Sequence, residues 1–148
     1  FYAALFSLRS GEFDAHLVCA GEGRIRAEIE TINAKGFDAT ARERSMVTQL
    51  EIVLEAMVRG IRFLPVDLYK SDQQRFLIED DALRPPLASL QGLGVNAAAR
   101  IAQAREEGEF ISIEDLRQRS GITKAVVETL RAHGCLQGLP ETNQLTLF

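Results

Sequence analysis

The residues of this chain best suited to chemistry form a short glycine-containing segment between residues 87 and 98. Gly92 and Gly94 flank Leu93 there, and two further leucines precede them. Glycine leaves no side chain between the backbone and an approaching phosphate. The amides at the start of a following helix can then point at phosphate oxygens, helped by the positive end of the helix dipole. The segment therefore predicts a binding site for phosphate groups.

The full pattern from Leu87 to Ala98 is typical of a helix-hairpin-helix that binds the DNA backbone. Leu93 is expected to pack into the core, and Ala98 to let the two helices approach closely. The alternative is an ordinary turn between helices. A Gly94→Val substitution should distinguish a DNA-binding hairpin from an ordinary turn. In a DNA-binding hairpin the branched side chain would occupy the phosphate position, and it is also expected to strain the backbone. The residues predicted to contact DNA here are Gly92, Leu93, Gly94, Asn96 and Arg100.

A second segment, residues 110–136, resembles the partner half of a tandem arrangement of such motifs. Its hairpin, Gly121–Lys124, lacks the paired glycines of the first one. We therefore predict that this hairpin serves mainly for packing, with Lys124 as its phosphate contact.

The last five residues, Gln144–Phe148, form a second candidate binding site. They match the Q-L-x-L-F peptide by which bacterial replication and repair proteins dock on the β sliding clamp. The alternative is that these apolar residues fold back on the domain as a terminal anchor. The predicted clamp-binding residues are Gln144, Leu145, Leu147 and Phe148.

Candidates for catalysis are weak. Asp80 and Asp81 are adjacent, so on an extended chain they face opposite ways and cannot jointly hold a metal. Neither His16 nor His133 has a neighbouring pattern typical of a catalytic triad or a metal site. The two cysteines form no Cys-x-x-Cys pair and are expected to be buried or unreactive. We predict no catalytic residue, metal ligand or cofactor in this chain.

Composition limits the class of protein. The chain has 148 residues, of which 46% are hydrophobic and 26% charged, with a formal net charge of -4. These values predict a folded cytoplasmic protein and exclude extensive disorder. No apolar run of the sequence reaches the roughly 20 residues needed to cross a bilayer. Because no segment is strongly basic, any contact with nucleic acid must be local. The chain begins at Phe1 without a signal peptide, and we interpret it as a fragment.

Local patterns predict the elements that position these sites. Apolar spacing and terminal glycines predict helices over residues 22–35, 41–59, 87–90, 95–106, 112–119 and 123–134. An extended edge segment at 60–71 precedes a hairpin at 75–83, in which Phe76 and Ile78 are expected to face inward. Pro85–Pro86 suggests a domain boundary, and residues 140–148 a mobile tail. The predicted fold class is mainly α with a small β portion (α+β).

Several stretches resemble, in order, the C-terminal end of PolC-type DNA polymerase III, the C-family replicative polymerase of low-GC Gram-positive bacteria. They are Ile32–Gly36, Phe63–Ser71, Gly92–Ala98, Ala104–Phe110, His133–Leu136 and Asn143–Phe148. The resemblance implies that residues 1–82 are the distal part of the fingers region. It also implies that residues 83–138 form the helix-hairpin-helix domain that binds duplex DNA, and that residues 139–148 are a tail that binds the sliding clamp.

The resemblance also implies an enzyme, a DNA-directed DNA polymerase, of which this chain is a part. In the family, the palm carboxylates that hold Mg²⁺ lie upstream, so the chain alone is expected to be inactive. Its implied partners are duplex DNA without sequence preference, the β sliding clamp and other replisome subunits. Two alternatives remain at this point: a non-enzymatic module that binds DNA and the clamp, and a fragment of a helix-hairpin-helix repair nuclease.

Overall fold

The computed structural model describes residues 1–8 and 10–143. Its elements, in chain order, are α1 (Tyr2–Ser7), α2 (Ala15–Cys19), α3 (Glu22–Ala34), α4 (Ala41–Val58), β1 (Arg62–Phe63), β2 (Leu77–Glu79), β3 (Ala82–Arg84), α5 (Val95–Ala104), α6 (Ile113–Ser120) and α7 (Lys124–His133). Short 3₁₀ turns lie between them. The described part of the chain is thus mainly helical with one small sheet, which confirms the predicted α+β class.

Helices α3 and α4 pack against each other and begin and end where local signals place them. The Thr40 hydroxyl accepts from the Glu43 amide, and the Glu43 carboxylate accepts from the Thr40 amide, which forms a capping box at the start of α4. Gly60 follows the helix with φ of 89°, a conformation that glycine adopts without strain. The predicted helices at 22–35 and 41–59 are therefore confirmed to within one residue.

The sheet has the order β1-β3-β2, with β3 parallel to β1 and antiparallel to β2. The predicted hairpin is confirmed, with Ile78 opposite Leu83 and a tight turn in which Asp80 has φ of 55°. The prediction that Ile78 faces inward is wrong, because its side chain is 69% exposed. Phe76 is buried as predicted, but it precedes β2, so the alternation of the strand does not extend to it.

One hydrophobic core runs through the molecule. Phe6, Phe13 and Leu83 belong to the same buried cluster as Leu93 and Leu130. The buried turn Leu87–Ser89 lies directly after Pro85–Pro86, so the core is continuous across the expected boundary. The division of the chain into a fingers part and a DNA-binding part stays a prediction.

The segment around residues 66–71 joins the sheet to the later helices. Ser71 is fully buried; its hydroxyl accepts from the Asp67 amide and donates to the Pro85 carbonyl. The Tyr69 hydroxyl accepts from the Phe110 amide, and the two rings stack. This segment therefore holds the helices after β3 against the sheet.

Residues 140–143 differ from the expected mobile tail. The carbonyls of Pro140 and Glu141 accept from the amides of Ile113 and Glu114, at 2.9 and 3.1 Å. These bonds attach the segment to the first turn of α6, whose amides lack partners within the helix. The expectation of a tail that is mobile from residue 140 is thus corrected for residues 140–143.

Candidate nucleic-acid interface

The first hairpin has the geometry that its pattern predicts. Leu93 is 2% exposed and belongs to the core, which confirms its packing role. Gly92 has φ of 93°, and a Cβ atom there would lie 3.2 Å from the Thr129 hydroxyl of α7. Only glycine fits this position without strain, and the turn therefore packs closely on α7.

Gly94 differs from the expectation of backbone strain. Its φ is -71° and ψ 170°, an extended conformation that any residue adopts, and a Cβ atom there would meet nothing within 4 Å. The strain expected for a Gly94→Val substitution is therefore absent, because only Gly92 has a positive φ in this hairpin. The surrounding space is open and exposed, so a side chain at Gly94 would project where an external ligand approaches.

Helix α5 begins at this glycine without a side-chain cap. The Ala98 amide donates to the Gly94 carbonyl at 3.0 Å as the first bond of the helix, and the amides of residues 95–97 precede that bond. These amides lie at the positive end of the helix dipole. The start of α5 can therefore donate hydrogen bonds to an anion such as a phosphate oxygen.

The two predicted side chains of this helix, Asn96 and Arg100, are exposed on α5. Within residues 1–8 and 10–143, Arg100 has no carboxylate within ion-pair distance. Other arginines nearby serve packing instead: Arg105 donates to the Leu68 carbonyl, and Arg119 donates to the carbonyls of Ala104 and Gly108. Of these three, Arg100 is the one whose guanidinium makes no such bond within the described part of the chain.

The second hairpin is a structural parallel of the first. Ile122 is buried as Leu93 is, and Gly121 ends α6 in the left-handed conformation with φ of 72°. The Thr123 hydroxyl caps α7 by accepting from the Val126 amide, and Lys124 is the exposed first residue of that helix. Lys124 is therefore at a helix start, as Asn96 is in the first hairpin.

A cavity of about 530 Å³ lies beside this second hairpin, and sequence reasoning missed one of its cations. Arg117 and Lys124 line the cavity and, in the part of the chain that the structure describes, neither has a carboxylate partner. Arg131 also lines it, but it is paired with Glu128 and Glu141, and its hydrogen bond lowers the pKa of the Glu141 carboxyl. No local pattern of the sequence distinguishes Arg117, because the fold brings its side chain to this cavity.

The two cysteines, the remaining candidates for reactive side chains, have thiols that are not activated. Burial raises the pKa of the Cys135 thiol to about 12 and that of Cys19 to about 11, and both sulfurs contact backbone carbonyls. Cys19 lies at the surface of α2 with its sulfur against the Leu64 carbonyl, and neither cysteine is activated as a thiolate.

The carboxylates of the described residues do not suit the Mg²⁺ that the resemblance implies for a polymerase. Asp80 and Asp81 lie in the tight turn between β2 and β3. No group of three or more histidine, cysteine, aspartate or glutamate side chains among the described residues is arranged to hold a metal ion. No step that requires Mg²⁺ is assigned to this chain.

The predicted clamp-binding residues Gln144, Leu145, Leu147 and Phe148 lie outside the described residues. The peptide follows directly on Asn143, whose amide donates to the Glu114 carboxylate at 3.2 Å.

Among the described residues, no helix has the length and hydropathy needed to cross a membrane.

The chain belongs to the helix-hairpin-helix family, since the family model described as "Helix-hairpin-helix motif" matches residues 60–145. Over its whole length it is 53% identical to the PolC-type DNA polymerase III of Halalkalibacterium halodurans, 50% to that of Caldanaerobacter subterraneus and 49% to that of Bacillus subtilis. The resemblance to PolC-type DNA polymerase III is thereby confirmed over the whole of this chain. It covers 10%, 11% and 10% of those three relatives, respectively.

Proposed function

We propose that this chain binds the backbone of duplex DNA through its two hairpins, without regard to sequence. The observation that carries the proposal is the exposed, uncapped start of α5 at Gly94, held in place by the buried Leu93. A rigid turn that presents free amides suits phosphate oxygens, which every sequence shares. Arg100 supports this contact from α5, and Lys124 with Arg117 supports a second contact at the other hairpin.

The binding is expected to be weak and only moderately sensitive to salt. The net charge of the chain is -4, and glutamates 114, 128 and 141 border the second hairpin. Few phosphates can therefore be neutralised. With about three or four phosphate contacts, the slope of log affinity on log salt is expected to be about -2 to -4.

For the whole protein, we propose DNA-templated DNA synthesis in the cytoplasm, in concert with other replisome subunits. The relatives that support this are named DNA polymerase III PolC-type. Within such a polymerase, the chain would hold the duplex, while catalysis with Mg²⁺ would be carried out by residues outside it.

We also propose that Gln144–Phe148 binds the β sliding clamp as an extended peptide. Its sequence supports the proposal, with one polar residue for hydrogen bonding and three apolar ones for pockets. The peptide follows directly on residues 140–143, which are bonded to the first turn of α6. Clamp and duplex would be bound by neighbouring parts of one chain.

The DNA-binding proposal is tested by fluorescence anisotropy with a short labelled duplex and the Gly94→Val variant. The space around Gly94 is open, so the variant should fold normally and lose most of its affinity, by about tenfold or more. Gly23→Val is the matched control, because that glycine also has open space and no positive φ but lies on α3. Unchanged affinity in a folded Gly94→Val variant would remove the hairpin from the site.

A further inference from the structure

A basic residue of the N-terminal half lies beside the first hairpin. Arg42, in the first turn of α4, donates through Nη2 to Oε1 of Gln91, the residue before Gly92. The two residues are 49 positions apart, so the fold alone brings them together.

Gln91 is itself firmly held. Its Nε2 donates to the Phe13 carbonyl at 2.9 Å, with a longer contact of 3.4 Å to the Gly11 carbonyl. Since the amide nitrogen is occupied by these carbonyls, the oxygen is left to face Arg42. Gln91 thus positions the Arg42 guanidinium next to the hairpin.

Arg42 and the hairpin share one concave surface. A cavity of about 380 Å³ is lined by Arg42 and Gly11 together with residues 90–95 of the hairpin. The guanidinium therefore borders the same space as Gly94, where the start of α5 presents its amides.

The charge of Arg42 is available to a ligand. Arg26 and Arg59 form ion pairs with glutamates on their own helices, whereas Arg42, in the described part of the chain, has only the neutral amide of Gln91 as a side-chain partner. A guanidinium has five N–H donors, so most remain free after one hydrogen bond. Planar donors of this kind suit bidentate recognition of a phosphate.

We propose that Arg42 binds a DNA phosphate next to the one held by the Gly92–Gly94 hairpin, with Gln91 as its positioning residue. The duplex-binding surface then extends from the helix-hairpin-helix onto α4. The inference rests on the proposed function, because it assigns a further contact to the same surface. It predicts that one phosphate contact of the chain depends on a residue far from the hairpin in sequence.

The test compares Arg42→Gln, Arg42→Lys and Arg44→Gln in the full chain, by anisotropy with a short duplex over a series of salt concentrations. Arg44 is the matched control, because it lies on the same helix but donates to the Phe37 carbonyl and lines a different cavity. Thermal unfolding checks that each variant folds.

The expected result for Arg42→Gln is a loss of affinity of about tenfold at low salt and a salt slope smaller in magnitude by about 1. Arg42→Lys should retain the slope, because it keeps the charge, and lose part of the affinity. Arg44→Gln should match the wild type. Equal losses in the Arg42→Gln and Arg44→Gln variants would overturn the inference, since they would show an effect of net charge alone.

Gly94→Val separates this inference from the proposed function. If Gly94→Val loses affinity and Arg42→Gln does not, the role of Arg42 is refuted and the hairpin stands. If neither variant changes affinity or slope, both are refuted.

Discussion

Gly92 and Gly94 flank the same leucine but serve different purposes. Gly92 has a positive φ and lies against Thr129, so it shapes the turn. Gly94 has an ordinary φ and open space, so its missing side chain matters for the approach of a ligand rather than for the fold. The two glycines are equivalent in the sequence pattern of the motif, but the structure shows that they differ in backbone angle and in the space around them.

This difference gives a prediction about stability. Gly92→Ala should lower the free energy of unfolding by about 1–3 kcal/mol, because alanine is strained in a left-handed conformation and its Cβ atom crowds Thr129. Gly94→Ala should cost less, about 0.5–1 kcal/mol, because Gly94 is the N-cap of α5 and alanine is a poorer cap than glycine. Urea unfolding followed by circular dichroism measures both. Equal effects of the two substitutions would contradict this assignment of roles.

A second prediction concerns Ser112, the buried cap of α6. Its hydroxyl accepts from the Asp115 amide at 2.9 Å and also contacts the Asn143 side chain. Ser112→Ala should cost about 1–2 kcal/mol of stability, the usual range for losing a cap. It should also loosen residues 140–143, which proteolysis would detect. Thr123→Ala is the comparison, since Thr123 caps α7 from an exposed position and should cost less.

At the scale of elements, a pair of histidines joins α2 to the end of α7. The Val66 amide donates to Nε2 of His133, so the neutral ring carries its proton on Nδ1. That proton is donated to Nδ1 of His16, 3.1 Å away. The bond from Val66 requires a neutral His133 ring, because a second proton on Nε2 would remove the acceptor.

The pair predicts that stability falls in mild acid. Burial, and then the neighbouring His16, lower the pKa of His133 below its ordinary 6.5, against the opposing charge of Asp14. In mild acid the unfolded chain therefore binds more protons than the folded one. The contribution of neutral His133 to the free energy of unfolding is full above about pH 6.5, and it is lost as the pH falls through the lowered pKa.

Replacing His133 with Gln tests this dependence, because Gln does not titrate but can still accept and donate. Urea unfolding at pH 7 and pH 5 should show a larger loss of stability in the wild type than in the His133→Gln variant. Parallel losses in the two proteins would show that the histidine pair does not couple protonation to folding.

The helices were largely predictable from the sequence because their signals are local. Thr40 with Glu43, Ser112, Thr123 and the glycines after the helices act within one turn of the chain. The exposed Ile78 was not predictable in this way, because alternation alone does not show that β2 is an edge strand whose Ile78 side chain is left uncovered by the described residues.

At the scale of the whole molecule, the contacts that complete the site depend on tertiary packing. Arg42 meets Gln91 and His16 meets His133 across 49 and 117 positions, and no local pattern indicates such pairs. The hairpin itself was predictable, because its glycines, buried leucine and following helix lie within one short segment. Arg117 and the attachment of residues 140–143 were missed for the same reason as Arg42.

The clamp peptide gives a prediction for the assembled chain. Replacing both Leu147 and Phe148 with Ala should weaken binding to the β clamp by about 3–5 kcal/mol, because each buried side chain contributes about 1.5–3 kcal/mol. Gln144→Ala should cost about 1–2 kcal/mol, as expected for one or two hydrogen bonds. Calorimetry measures both affinities. Equal clamp binding by the wild type and the double variant would show that the match to the motif is coincidental.

Duplex binding should be independent of that peptide, because the proposed DNA contacts lie on the hairpins and α4. The double variant is therefore expected to keep its full affinity for DNA. A parallel loss of DNA and clamp binding would contradict this separation of the two sites.

We propose that the two hairpins form the surface on which duplex DNA lies. The most direct test is the set of ¹H–¹⁵N amide spectra of the full chain during titration with a short duplex. We expect the largest shifts at Val95, Asn96 and Lys124, with α3 (Glu22–Ala34) unchanged. Shifts centred on α3, with the amides of both hairpins unchanged at saturating DNA, would contradict it.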